Sequence, residues 1–214
     1  SEGGKLRAVG DIGTHWMDLA QFVTGSPIVS VLGDAQTVHP LRLRPRGGSE
    51  TFRDADAPVQ PSAGTGQADW VEITTEDFAA VLLRFQGGAR GAFHVSQVHA
   101  GRKNRLLIEV AGTEAAMSWD SESPETLSIG RRGRPNEILL RDPAQLDARV
   151  PCHYPGGHAE GFPDSFKYLF SLVYHAVATD SACDPSTRLY PTFVDGHREV
   201  RLCEAIAASL RSRT

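Results

Sequence analysis

The chain has 214 residues, enough for one large domain or two small ones. With 40% apolar and 22% charged residues it can bury a core in water, and a net charge of −4 leaves no overall basic field for nucleic acid. No apolar run reaches membrane-spanning length, and the scattered Cys152, Cys183 and Cys203 do not build a disulfide framework, so a cytoplasmic protein without membrane or nucleic-acid partners is expected.

The pattern predicts a first helix over residues 11–24, ended by Gly25 and Pro27. Along it Ile12, Trp16, Leu19 and Val23 form an apolar stripe beside a polar one. A strand is predicted over 27–38 from Ile28, Val29, Val31 and Leu32. The composition then turns to Gly, Pro, Ser and Asp, and residues 45–76 read as a long surface loop. Residues 78–85 are a nearly continuous apolar run before Gly87-Gly88, which predicts a strand entering a hairpin with its return over 89–98. Both faces of that strand are apolar, so both are expected to be covered, one by helices and the other by a partner subunit. A second hairpin is predicted over 105–111 and 115–119, with short strands over 125–130 and 137–140. Asp142-Pro143 has the chemistry of a cap and first position of a short helical turn.

The last third is predicted helical over 163–179 and 192–211. The stripes Phe166, Leu169, Phe170, Val173, Val177 and Val200, Cys203, Ile206, Ala207, Leu210 read as core. The basic clusters at Arg42, Arg44, Arg46, at Arg102, Lys103, Arg105 and at Arg131, Arg132, Arg134 read as solvated strands and turns. The order implies an α+β fold in a single domain over 1–214: an open, mostly antiparallel β-sheet with helices packed on one face, the other face available for oligomer contacts.

The chemistry concentrates in residues 10–19, GDIGTHWMDL. At about 100° per residue His15 lies roughly 40° from Asp11, with Asp18 roughly 20° to its other side. A carboxylate one turn before an imidazole is a unit suited to proton transfer, because His titrates near neutral pH and a carboxylate can fix its tautomer. Three other readings stand beside this one. Asp11 could only cap the helix, His15 could be a satisfied core histidine partnered by Asp18, and Asp11, His15 and Asp18 could share a metal ion in a hydrolase, although no dense ligand set supports the last. Cys152-His153 with His158 lacks the second cysteine pair of a zinc site. No GxGxxG, P-loop or GxSxG occurs, so the chain does not build a nucleotide site unaided.

These residues carry a resemblance. GDIGTHWMDL resembles the GDIGSHxxDL signature of the glucose-fructose oxidoreductase and inositol dehydrogenase (Gfo/Idh/MocA) family, and SQVHAGRKNR at 96–105, EVAG at 109–112 and PGGHAEGFPDSF at 155–166 are similar to later segments of it. The resemblance implies the C-terminal substrate and oligomerisation domain of an NAD(P)-dependent dehydrogenase acting on a sugar or polyol such as levoglucosan or an inositol. It implies that Asp11 and His15 are catalytic, with Asp18 as structural support. It also implies substrate contacts from Arg102, Asn104 and His158. NAD or NADP would be bound mainly by an N-terminal Rossmann domain, and the family's catalytic lysine sits there in an EKP segment. Neither that domain nor EKP occurs here, so the isolated chain is expected to be inactive and about 100 to 150 residues are expected upstream. A homo-oligomer through the sheet face is implied too. The alternative is a non-catalytic sugar-binding or oligomerisation module, which would use the same fold without nicotinamide chemistry.

Overall fold

The computed structural model describes residues 4–45, 68–147, 151–179 and 188–212. A π-helical turn, Val9–Gly13, runs straight into α1, Thr14–Thr24, with the Thr14 N–H donating to the Val9 carbonyl five residues back. Gly25 ends α1 with φ 62°, a left-handed conformation that glycine adopts without a Cβ penalty. Then come β1 (Ile28–Gln36), β2 (Leu41–Pro45), β3 (Ala68–Glu72), β4 (Phe78–Phe85) and β5 (Arg90–Ser96). They are followed by β6 (Leu107–Ala111), β7 (Ala115–Asp120), β8 (Thr126–Arg131), β9 (Glu137–Leu140), α2 (Phe162–Thr179) and α3 (Phe193–Ser212). Among the described residues every strand pairing is antiparallel, in three sheets ordered β1-β4-β5, β2-β3 and β6-β7-β8-β9. The fold is α+β.

The register explains which face is buried. Val31, Gly33 and Ala35 of β1 lie opposite Leu83, Val81 and Ala79 of β4, which in turn lie opposite Gly91, Phe93 and Val95 of β5. Alternation places these residues on one face, and α3 packs there. A Cβ on Gly33 would stand 3.3 Å from Ile206 Cγ2 and from Leu210 Cδ2, so the missing side chain lets α3 approach the strand. Met17, Leu83, Ile206, Val9 and Val81 are the largest fully buried apolar side chains of this core.

Three expectations need correction. Residues 68–72 are not loop but strand β3, because Trp70 and Val71 pair with Leu43 and Arg42 of β2; residues 46–67 of the expected loop lie outside the described residues. In the single chain one face of β4 is buried, and the opposite face, the one expected to meet a partner subunit, leaves Leu82 exposed. The α2 stripe is not core: α2 buries no residue and presents Phe162, Phe166, Phe170 and Tyr174 to solvent as a ladder of ring contacts. On α3, Ile206 and Ala207 are buried as expected, but Val200 is exposed. Asp142 does cap a single turn, its Oδ1 accepting from Ala144 N at 3.0 Å. Cys183 lies outside the described residues.

Candidate active site

The N-terminal helix is fixed at its start and again by Trp16 before it presents any chemistry. Its first N–H groups are capped from far along the chain: both carboxylate oxygens of Glu76 accept from Arg7 N, at 2.9 and 3.0 Å, and Oε1 also accepts from Val9 N at 2.9 Å. Asp11 therefore does not cap the helix; it lies inside the π turn and its own N–H donates to the Arg7 carbonyl at 2.9 Å. Further along, Trp16 stacks on Phe93 of β5 at 5.1 Å and donates its indole N–H to the Leu107 carbonyl of β6 at 2.9 Å. One side chain thus ties α1 to two sheets.

His15 is exposed, which removes the core-histidine reading. It borders a cavity of about 1110 Å³ between α1 and α3, with Asp18 and Glu199 on the polar side and Leu6, Phe193 and Val200 among its apolar walls. Burial and the nearby Asp195 carboxylate raise the Asp18 carboxyl above its ordinary value, against the opposing pull of His15 and Arg198. Glu199 is only 8% exposed; its Oε1 accepts from Gln21 Nε2 at 2.8 Å, and its Oε2 has no hydrogen-bond partner. Burial and the Asp18 charge push its carboxyl up to about 7.

Asp11 is exposed one turn before His15. Its Oδ2 accepts from Gln97 Nε2 at 3.3 Å.

The remaining expected residues stand apart. Arg102 Nη1 meets Glu122 Oε2 at 3.0 Å in an exposed pair, and the Asn104 carbonyl accepts from Ser121 Oγ at 3.3 Å. His158 is exposed, its ring Nδ1 3.3 Å from the Pro155 carbonyl. Its carbonyl is held by Arg141, whose guanidinium also pairs with Glu125 and Glu160. None of the three lines the cavity beside His15. Among the described residues no group of three His, Cys, Asp or Glu side chains could hold a metal ion.

A family profile described as the GFO/IDH/MocA C-terminal domain matches residues 2–118. The chain belongs to the GFO/IDH/MocA family. Over 124 residues it is 27% identical to the levoglucosan dehydrogenase of Pseudarthrobacter phenanthrenivorans, a stretch that covers 57% of this chain and 29% of that enzyme. An oxidoreductase domain protein from Kribbella flavida superposes with a TM-score of 0.76 at 27% identity, covering 98% of this chain and 50% of that one. An inositol dehydrogenase homologue from Azotobacter vinelandii, solved with NAD+, shares the fold at 24% identity and a TM-score of 0.73, over 98% of this chain and 48% of its own. The chain thus spans about half the length of these solved relatives.

For a GFO/IDH/MocA domain, the sequence marked Asp11 and His15 but missed three residues around them. Gln97, Glu76 and Glu199 lie 86, 65 and 184 positions from Asp11 or His15, and only strand register and helix packing bring them near. Gln97 sits within a segment whose similarity is legible, but its bond to Asp11 is not.

Proposed function

We propose that this chain is the substrate-side domain of a sugar or polyol dehydrogenase, in which Asp11 and His15 handle the proton of the hydroxyl being oxidised. The observation that carries this reading is His15 itself: exposed at the cavity edge on a helix locked to two sheets, with the Asp11 carboxylate one turn away. Family membership and the dehydrogenase names of its relatives support it. The apolar wall beside a proton acceptor fits the reacting end of a nicotinamide. No phosphate-binding glycine loop occurs in the 214 residues, so residues outside them would hold most of the cofactor and turnover would require those residues. Nicotinamide supplies the hydride acceptor when bound. NAD is the form favoured by the NAD+ and NADH complexes among the relatives.

Within the chain, the imidazole of His15 takes the hydroxyl proton as the carbonyl forms. Asp11, an acceptor only when ionised, orients that imidazole or holds an adjacent hydroxyl. Asp18 supports the helix behind them. Arg102, Asn104 and His158 are proposed as sugar contacts from the surrounding loops. The outward face of β1, β4 and β5, where Leu32 and Leu82 are exposed, is the proposed contact between copies.

In the enzyme with its nucleotide-binding half in place, His15→Ala should lower kcat by about 10²–10⁴-fold, the usual contribution of a positioned base. Arg102→Ala and His158→Ala in the same series should act mainly on KM. A loss below about tenfold for His15→Ala removes the base assignment, whereas a parent protein that reduces no NAD with any sugar or polyol favours the non-catalytic module.

A further inference from the structure

The carboxylate of Asp11 is exposed, yet it is reached by a train of side chains that begins in the core. Asp77 is 0% exposed and carries its charge there. Burial opposes that charge, but the His39 N–H and the guanidinium groups of Arg42 and Arg7 outweigh it and hold the carboxyl below its ordinary range. Arg7 Nη1 meets Asp77 Oδ1 at 2.9 Å, and the Arg7 main chain is pinned by Glu76. So Arg7 is fixed at backbone and tip, and its Nε donates to Gln97 Oε1 at 2.5 Å. Gln97 is tied a second time, its N–H donating to the Asp77 carbonyl at 2.9 Å.

That arrangement decides which way the Gln97 amide faces. A guanidinium can only donate, so the amide oxygen must turn to Arg7. The amide nitrogen then has to face the other way, and 3.3 Å from it lies Asp11 Oδ2, which can only accept. A neutral donor at this place can hold a carboxylate in one rotamer without neutralising it, whereas an arginine here would pair with its charge.

We infer that Gln97 is a positioning residue for Asp11, transmitting the fixed geometry of the Asp77–Arg7 pair to the exposed carboxylate beside His15. This rests on the proposed catalytic role of Asp11 and extends it to a residue on another element. Oδ1 of Asp11 is left for a substrate hydroxyl or for His15, while Oδ2 is engaged by Gln97. Misplacing a reacting group by about 1 Å can cost on the order of 10²-fold in rate, so a holder of this kind matters although it never touches the reacting atoms.

Gln97→Glu separates this role from simple support. The variant keeps the shape of the side chain and keeps an oxygen for Arg7, so Tm should stay within about 3 °C of the parent. It removes the donor and sets a carboxylate against Asp11. On the 214-residue chain, three-bond couplings about the Asp11 χ1 angle should report one rotamer in the parent and an average of rotamers in Gln97→Glu. In the enzyme with its nucleotide-binding half, kcat should fall about 10–100-fold while KM changes less than about threefold. A single Asp11 rotamer retained in Gln97→Glu, or kcat within threefold of the parent, overturns the inference. Should Asp11→Asn and His15→Ala leave turnover intact, the proposed catalytic function fails instead, and the rotamer measurement still decides whether Gln97 positions Asp11.

Discussion

Glu199 shows how one residue joins stability to the site. Its Oε1 takes the Gln21 amide, and Gln21 Oε1 in turn accepts from Ile28 N at 3.0 Å, so three elements meet through two side chains. The cost is a carboxyl in a poor place for charge: buried, with Asp18 and Asp195 near it, and only partly relieved by Gln21 and Arg198. Its pKa rises from 4.5 to about 7 in the folded chain. Because the folded state binds this proton more tightly than the unfolded one, the contribution favours folding below pH 4.5 and is lost as pH rises through 7. Glu199→Gln keeps an oxygen for Gln21 and abolishes the titration. It should therefore match the parent near pH 4 and exceed it by about 1–3 kcal/mol at pH 8, a Tm rise of roughly 2–10 °C. Equal Tm values at pH 8 would contradict the raised pKa. No spacing in the sequence announces Glu199: it lies in a helix of mixed polarity, and its burial comes from α1 packing against α3. Asp11 and His15 were legible because their relation is local, one turn of one helix. Gln97 acquires its meaning only from the pairing of β5 with β4, which sets it beside the Asp77 carbonyl.

The first helix is the element on which the site depends, and its start differs from the expected one for a physical reason. Asp after Gly is ordinary capping chemistry, so the sequence pointed to a helix beginning at Asp11. The helix instead begins earlier, in a π turn, because Glu76 supplies acceptors to the N–H groups of Arg7 and Val9 from the connection before β4. The wider turn carries Asp11 on a helical backbone with its side chain free for Gln97. Glu76→Ala should leave the Arg7 and Val9 N–H groups without their acceptor and cost about 2–4 kcal/mol in urea denaturation. A cost under about 1 kcal/mol would mean that solvent caps the turn as well as Glu76 does. The far end was read correctly, since Gly25 followed by Pro27 is a local signal that tertiary structure did not override. The paired short strands β6–β9 were legible for the same reason, their turns being close in sequence.

At the scale of the whole molecule, periodicity identified both C-terminal helices but could not say what either would bury. Each carries apolar residues at helical spacing, and from the sequence alone the two stripes read alike. They differ in what the fold puts opposite them. α3 lies on the inward face of β1, where Gly33 leaves room and Ile206 is 0% exposed. α2 follows the loop of residues 151–161, which Arg141, Glu125 and Glu160 hold against β8 and β9, and its aromatic ladder faces outward. Similar stripes should then respond very differently to mutation. Ile206→Ala empties a core position and should cost about 2–4 kcal/mol. Phe170→Ser removes a larger side chain, yet one that is 52% exposed and stands in the ring ladder between Phe166 and Tyr174, and should cost less than about 1 kcal/mol. Denaturant midpoints of the two variants measured side by side check this. A Phe170→Ser cost as large as that of Ile206→Ala would mean that α2 is buried in solution against something the isolated fold does not contain, and light scattering on the same samples would show whether that is a second copy of the chain.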